Sequence, residues 1–155
     1  MPKSFNYIGL FGAFCGITFV IIIYRNNLKM NKKMRLLLSD DDKDMAQLLS
    51  FILTDEGYEI DIASSGAETI RKIKEKDYPL LLLDYDLGDM TGFDVINFMK
   101  ENNVLTKIIM ISGHTKTELK SRAYNLGVQK FIPKPFEINT VVENIHNVTD
   151  NLSPE

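Results

Sequence analysis

The sequence predicts an α/β protein with an open, doubly wound sheet of five parallel strands and five helices. Two observations predict this fold. Short apolar segments alternate five times with segments of helical periodicity between residues 34 and 148. Several of the apolar segments are continuous, which is typical of strands buried on both faces. Because crossovers between parallel strands are right-handed, strict alternation over this length favours helices on both faces of one sheet.

Five segments are predicted as strands. Three are apolar runs, and one alternates polar and apolar residues as a strand does. Proline or glycine lies close to several of their ends. The predicted strands are MRLLLS (34–39), YEIDIA (58–63), PLLLLD (79–84), KIIMIS (107–112) and VQKFI (128–132).

The segments between these strands have helical periodicity. Gly57 and Gly127 are predicted to end the first and fourth helices, because glycine readily adopts the conformation that follows a helix. Ser65 with Glu68, and Thr115 with Glu118, have the spacing of capping boxes that open the second and fourth helices. The predicted helices cover residues 43–57, 65–76, 92–103, 115–127 and 136–148.

Composition indicates a single globular domain with an unusual amino-terminal extension. Of the 155 residues, 45% are hydrophobic and 25% are charged, and the lone Cys15 excludes an internal disulfide or a cysteine-rich metal site. The net charge is −3, but residues 1–35 hold six basic and no acidic side chains. The remaining residues therefore hold twelve of the 18 basic and all 21 acidic side chains. This acidic body disfavours nucleic-acid binding.

The extension contains a candidate membrane anchor. Residues 7–24 carry no charge, and as a helix they would extend roughly 27 Å, enough to cross a bilayer core. Basic residues follow the segment more densely than they precede it, so the positive-inside rule predicts an outside amino terminus and a cytoplasmic body. We therefore expect residues 1–33 to form an anchor and a basic juxtamembrane segment, residues 34–148 a domain, and residues 149–155 a tail.

Two alternatives to the anchor stay open. A cleaved signal peptide usually has its charges in front and a small-residue cleavage site, and this segment fits neither feature well. The other alternative is translation that begins at Met30 or Met34, which would leave a soluble cytoplasmic protein. Within the segment, Gly12 and Gly16 form a G-x-x-x-G pattern that would allow two membrane helices to pack closely.

Polar residues follow the predicted strands at their carboxyl ends, where ligands bind in open parallel sheets. Clustered carboxylates raise one another's pKa unless a cation lies among them. Mg²⁺ suits this arrangement because it takes one or two carboxylates, keeps water ligands and leaves room for phosphate oxygens. A carboxylate beside such an ion can act as a nucleophile toward phosphorus. The strand-end residues are Asp40, Asp41 and Asp42, Asp84 and Asp86, Ser112, and Lys134.

Four of these segments together resemble the receiver domains of bacterial two-component response regulators. The motifs are LLLSDDD for the acidic pair, LLLLDYDLGDMTG for the phosphoacceptor loop, IIMISG for the hydroxyl residue and KFIPKPF for a switch aromatic and a lysine. The resemblance covers about residues 34–148. It implies a flavodoxin-like fold with strand order 2-1-3-4-5, and a signalling phosphoacceptor rather than an enzyme.

The resemblance also implies roles for individual residues. Asp84 would accept a phosphoryl group from a phosphohistidine on a sensor histidine kinase or phosphotransfer protein. Mg²⁺ would be bound by Asp41, Asp84 and the backbone carbonyl of Asp86, with Asp40 acting through water. Because three aspartates run together, the register of the acidic pair can shift by one, and this leaves Asp42 as an open alternative.

Further roles follow from the same resemblance. Ser112 and Lys134 would bind the phosphoryl oxygens, and movement of Ser112 would let Phe131 turn inward and reshape a protein-binding surface for a downstream effector. The Lys134–Pro135 bond resembles one that is cis in the family. Asp86 and His114 occupy positions that tune dephosphorylation. The loop departs from the family at Gly88, where proline is common.

The sequence is also compatible with two other functions. The LLLLDYDL segment also resembles the first motif of haloacid-dehalogenase-like phosphatases, but that motif lies on the first strand of its fold. The second alternative is a receiver-shaped binding module that takes no phosphate. Because only seven residues follow the predicted domain, we expect a stand-alone receiver that signals through proteins and does not bind nucleic acid.

Overall fold

A computed structural model of the protein describes residues 33–150. Strands and helices alternate through this range and are numbered in chain order. The strands are β1 (Arg35–Ser39), β2 (Glu59–Ala63), β3 (Leu80–Asp84), β4 (Lys107–Ser112) and β5 (Lys130–Pro133). The helices are α1 (Lys43–Asp55), α2 (Gly66–Glu75), α3 (Gly92–Glu101), α4 (Thr117–Asn125) and α5 (Ile138–Thr149).

All neighbouring strands pair in parallel, in the order β2-β1-β3-β4-β5. The predicted doubly wound sheet and its strand order are therefore confirmed. The order reverses between β1 and β3, and the carboxyl ends of these two strands lie side by side, with Ser39 paired to Leu83. In sheets of this kind the crevice beside the reversal is the usual ligand site.

The leucine-rich strands separate two apolar cores. On one face, alternate residues of β1, β3 and β4 pack against α1 and α5. On the other face, the intervening residues pack against α2, α3 and α4. Every residue of β3 is buried because the strand lies in the middle of the sheet and is covered on both faces. The continuous leucine run thus forms a rigid central strand that ends at Asp84.

Two helix starts differ from the prediction. Ser65 caps α2 as expected, but the carboxylate of Glu68 accepts from Ser64 and not from Ser65. The capping box predicted at Thr115 and Glu118 was wrong. Capping requires an extended residue directly before the first helical one, and here that residue is Lys116.

An unpredicted capping box opens α3. The carboxylate of Asp94 accepts hydrogen bonds from the backbone N–H and the hydroxyl of Thr91, at 2.9 and 2.6 Å. The other boundaries agree with the predicted ones within a few residues, which is the usual variation at helix and strand ends.

The candidate anchor at residues 7–24 lies outside the described residues. Within residues 33–150, each helix is too short or too polar to span a bilayer.

Candidate functional site

Three carboxylates meet at the carboxyl edge of the sheet. Asp84 ends β3, while Asp40 and Asp41 directly follow the neighbouring β1. One oxygen from each of the three lies within 4.8 Å of the others. Asp40 and Asp84 are buried, with 1% and 4% of their surface exposed, whereas Asp41 is exposed. The two adjacent strands therefore hold two fixed carboxylates and present a third toward solvent.

The structure separates the roles of the three consecutive aspartates. The side chain of Asp42 accepts hydrogen bonds from the backbone of Asp44 and Met45, so it caps α1. The N–H of Asp42 in turn donates to the Oδ1 atom of Asp40, at 2.9 Å. Asp42 is thus the N-cap residue of α1. The carboxylates that lie close to Asp84 are those of Asp40 and Asp41.

Lys134 joins this cluster from the loop after β5. Its Nζ atom lies 2.5 Å from Oδ2 of Asp84 and 3.2 Å from Oδ2 of Asp40. The backbone N–H of Lys134 donates to the carbonyl oxygen of Ser112, at 2.7 Å, which ties the loop to the end of β4. The Lys134–Pro135 bond is cis, as predicted.

The ionisation of the cluster is set by burial and charge together. Burial raises the pKa of Asp84, and the negative charge of Asp40 acts in the same direction, while Lys134 opposes them. Burial alone would lower the pKa of Lys134. The hydrogen bond to Asp84 and the negative charges of Asp84 and Asp40 outweigh burial and raise that pKa. Lys134 is therefore a cation at neutral pH.

The donor set fits a small hard cation. Three carboxylates and one ammonium carry an excess of two negative charges when all are ionised, which a divalent ion neutralises. The ligands are all oxygen atoms, as Mg²⁺ prefers, and the exposure of Asp41 leaves an open side for water or a phosphate group. Asp40, Asp41 and Asp84 are thus the side chains that could hold the ion.

Ser112 lies at the end of β4, fully buried, one residue beyond the partner of Asp84 in the strand pairing. Its hydroxyl oxygen accepts a hydrogen bond from the N–H of His114, at 2.9 Å. The N–H of Tyr85 donates to the carbonyl oxygen of Ile111, at 2.9 Å, so β3 and β4 stay joined past Asp84. The predicted hydroxyl residue therefore borders the carboxylate cluster.

Asp86 and His114 lie on the outer side of the site. Oδ2 of Asp86 and Nε2 of His114 are 3.1 Å apart, and both side chains are more than half exposed. The His114 ring also meets the ring of Tyr85 edge-on, at 5.5 Å between centroids. The N–H of Asp86 lies 3.3 Å from Oδ1 of Asp84. The two residues that the resemblance assigns to dephosphorylation are thus in contact with each other.

Phe131 is half-buried on β5, where it pairs with Met110 of β4 and packs against the core formed with α2, α3 and α4. It lies on the strand next to the one that ends at Ser112. The two predicted switch residues therefore lie on adjacent strands, with Phe131 two residues before the partner of Ser112.

Three contacts around the site were not predicted from the sequence. Gly92 opens α3 so close to the site that an added Cβ would lie 2.7 Å from the carbonyl oxygen of Asp84. The hydroxyls of Ser39 and Thr69 are hydrogen-bonded at 2.5 Å inside the protein. Asp89 binds the first backbone N–H groups of α2 and not the carboxylate cluster. The glycine and the acidic run were visible in the sequence, but their partners lie far away along the chain.

A family model and curated relatives both indicate the same protein family for this chain. The family model described as "Response regulator receiver domain" matches residues 36–146. The cell cycle transcriptional regulator CtrA of Caulobacter vibrioides is 33% identical over 115 residues, which are 74% of this chain and 50% of CtrA. The chain thus spans about half the length of the curated relatives it matches.

Solved structures with a similar fold belong to the same family. A CheY-like response regulator receiver domain protein from Methanospirillum hungatei is 30% identical, with a TM-score of 0.73 over 77% of this chain and 96% of that chain. The response regulator TrrA from Thermotoga maritima, solved in complex with Mg²⁺ and BeF, is 26% identical, with a TM-score of 0.66 over 74% of this chain and 98% of that chain. Neither the phosphatase nor the other alternative function is favoured by these comparisons.

Proposed function

Because the chain belongs to the response regulator receiver domain family, we propose that it accepts a phosphoryl group on Asp84 from a histidine kinase or a phosphotransfer protein. The observation that carries this proposal is the position of Asp84. Its carboxylate ends a rigid central strand, meets two further carboxylates and is hydrogen-bonded to Lys134. A nucleophilic carboxylate needs to be held still beside positive charge in this way.

We assign the Mg²⁺ ligands to Asp41, Asp84 and the backbone carbonyl of Asp86, with Asp40 acting through water. Mg²⁺ supplies charge neutralisation for phosphoryl oxygens when it is bound. The remaining functions belong to the chain itself. An Asp84 oxygen forms the new bond to phosphorus while the bond from phosphorus to the donor histidine nitrogen breaks, and the nitrogen keeps the electron pair. Asp84 must be ionised for this step, and Lys134 favours that state against burial.

Lys134 and Ser112 would stabilise the transferred group. The Lys134 ammonium already lies against an Asp84 oxygen, so it is placed to meet negative charge that develops on phosphoryl oxygens. The Ser112 hydroxyl can donate a hydrogen bond to the same group once it turns away from His114. We propose that this turn of Ser112 leaves space at the end of β4 and lets Phe131 move inward from its half-buried position.

The partners follow from this switch. We propose that a downstream effector protein recognises the surface around Phe131 in the phosphorylated form. Signalling through protein contacts also suits the acidic body, which repels nucleic acid. Asp86 and His114 flank the open side of the site, and we assign them a role in the rate at which the phosphoryl group is hydrolysed.

The proposal is tested with acetyl phosphate. The intact protein is incubated with acetyl phosphate and Mg²⁺, and its mass is measured. We expect one added phosphoryl group, lost in Asp84→Asn and when EDTA removes Mg²⁺. Asp42→Asn is the matched control, since asparagine also caps helices and Asp42 lies outside the carboxylate cluster.

Three outcomes would contradict the proposal. An unmodified wild-type protein would favour a binding module that takes no phosphate. Modification that persists in Asp84→Asn would place the acceptor elsewhere. Steady turnover of p-nitrophenyl phosphate would favour a phosphatase.

The extension adds a proposal about location. We propose that residues 7–24 anchor a cytoplasmic receiver, residues 34–148, to the inner membrane, with residues 149–155 as a tail. Confinement there would raise its effective concentration near a membrane-bound kinase. Cell fractionation of the tagged full-length protein tests this, and we expect it with the membranes. Ile17→Arg, which places a charge in the apolar segment, should release it. A wholly soluble wild-type protein would overturn the anchor.

A further inference from the structure

Asp89 links the loop after Asp84 to helix α2. Its two carboxylate oxygens accept hydrogen bonds from the backbone N–H groups of Gly66 and Ala67, at 2.7 and 2.9 Å. These are the first two residues of α2, whose N–H groups have no partner within the helix. A residue of the acidic run therefore serves as an anchor to another element of the fold.

The residue next to this anchor lies beside the exposed member of the carboxylate cluster. Gly88 has a φ of +76°, and a Cβ built on it would be 3.4 Å from Oδ2 of Asp41. Asp41 is the exposed member of the cluster, so surrounding side chains hold it less than they hold Asp40 and Asp84. The neighbours Gly88 and Asp89 thus place the tip of the loop between the amino end of α2 and the exposed carboxylate of Asp41.

The loop and the helix are also in direct contact. Gly66 packs directly against the side chain of Met90, and a Cβ at position 66 would require that side chain to move. The base of the loop has its own support, because the side chain of Leu87 is buried and its N–H donates to the carbonyl oxygen of Met90. Asp89 therefore acts on the tip of the loop, while Leu87 holds its base.

We infer that Asp89 is a positioning residue for the proposed Mg²⁺ site: it pins the tip of the 85–91 loop to α2 and so keeps the loop backbone at Gly88 beside Asp41. This inference rests on the proposed function, since it assumes that the cluster binds Mg²⁺. Outer groups that orient metal ligands typically change metal affinity by 10- to 100-fold when they are removed. The carboxylate of Asp89 bonds to α2 and not directly to an assigned ligand atom, so we expect an effect at the lower end of this range.

The helix itself offers a matched control. Ser65 also caps α2, through a hydrogen bond from the N–H of Glu68 to its hydroxyl oxygen at 3.1 Å. This bond of Ser65 is made to the first turn of α2 and not to the 85–91 loop. Ser65→Ala therefore weakens the same helix end and leaves the loop anchor in place.

The experiment measures Mg²⁺ affinity by calorimetric titration of the full-length protein. We expect Asp89→Ala to bind Mg²⁺ roughly tenfold more weakly than wild type. Asp89→Asn should be intermediate, because its amide oxygen can still accept one of the two bonds. Ser65→Ala should bind like wild type although its thermal unfolding midpoint falls. Phosphorylation of Asp89→Ala by acetyl phosphate should return to the wild-type rate at saturating Mg²⁺.

The results separate the inference from the proposed function. If wild type and Asp89→Ala bind Mg²⁺ with equal affinity, the inference is overturned and the proposed function still stands. An equal loss of affinity in Ser65→Ala overturns it as well, since the effect would then come from helix stability. Wild type that binds no Mg²⁺ overturns both. If Asp89→Ala does not fold, Asp89→Asn provides the test. An intermediate Mg²⁺ affinity in Asp89→Asn supports the inference, and a wild-type affinity overturns it.

Discussion

The ammonium of Lys134 lies 2.5 Å from the carboxylate of Asp84, although fifty residues separate them in the chain. The same ammonium reaches Asp40, ninety-four residues away. Lys134 therefore ties together the loop after β5 and the ends of β1 and β3. Its positive charge offsets the repulsion between these two buried carboxylates and lets them lie close together.

Loss of Lys134 should weaken both the fold and the reaction. In Lys134→Ala, Asp84 and Asp40 remain buried without their cation, so we expect the free energy of unfolding without Mg²⁺ to fall by about 2 kcal/mol. Urea unfolding at neutral pH measures this change. Phosphorylation by acetyl phosphate should slow by roughly 10²-fold or more, as for other preorganised charges at reacting centres.

Lys130→Ala is the control for this prediction, because Lys130 is an exposed lysine on β5. Its free energy of unfolding should stay within about 0.5 kcal/mol of wild type. Wild-type phosphorylation rates in Lys134→Ala would contradict the role assigned to its charge.

Asp41→Asn should separate stability from function. The substitution removes one of three neighbouring negative charges, so we expect the protein without metal to gain about 0.5–1 kcal/mol of stability. Under the proposed Mg²⁺ site, added Mg²⁺ should raise the thermal midpoint of wild type and have little effect on Asp41→Asn. Thermal unfolding with EDTA and with Mg²⁺ tests both statements. Equal stabilisation of the two proteins by Mg²⁺ would exclude Asp41 as a ligand.

Gly92→Ala should distort the site from its backbone side. The added methyl group would lie 2.7 Å from the carbonyl oxygen of Asp84 and 3.3 Å from a side-chain carbon of Leu83, so the start of α3 must move. We expect a loss of about 1–3 kcal/mol in the free energy of unfolding, together with weaker Mg²⁺ binding. Gly113→Ala is the control, since a Cβ there meets nothing within 4 Å. Similar stability losses in the two variants would contradict the steric explanation.

A hydrogen bond far from the site should affect stability in acid. Burial alone would raise the pKa of Asp61, but the hydrogen bond from Tyr78 and the ion pair with Lys76 outweigh it and lower that pKa. A lowered carboxyl pKa contributes stability that is present above the unfolded value and lost as the pH falls through the folded value. Tyr78→Phe should therefore cost about 1–2 kcal/mol at pH 7 and less in acid.

Urea unfolding at neutral and at acid pH measures the effect of Tyr78→Phe. Tyr58→Phe is the matched control, because the Tyr58 hydroxyl pairs with the neutral hydroxyl of Thr149, at 3.3 Å. Its stability cost should be the same at both pH values. A pH-independent cost in Tyr78→Phe as well would show that Asp61 is not the group responsible.

Most of the fold could be read from the chain because it depends on short-range patterns. The continuous leucines of β3 indicated a strand buried on both faces, and strict alternation with helical segments indicated a parallel sheet. Helix starts were less predictable. The spacing of Thr115 and Glu118 met the rule for a capping box, but the rule does not say where the backbone becomes helical, and α4 begins at Thr117.

The sequence by itself determined that acidic, hydroxyl and lysine residues would gather at one edge of a parallel sheet, since strand ends converge whatever the details of packing. Only the tertiary structure decided what each of them contacts. It assigned Asp42 to the cap of α1, Asp89 to the start of α2 and Lys134 to Asp84. These contacts join residues whose separation in space is set by how helices and loops pack on the sheet, and local sequence patterns carry no information about that distance.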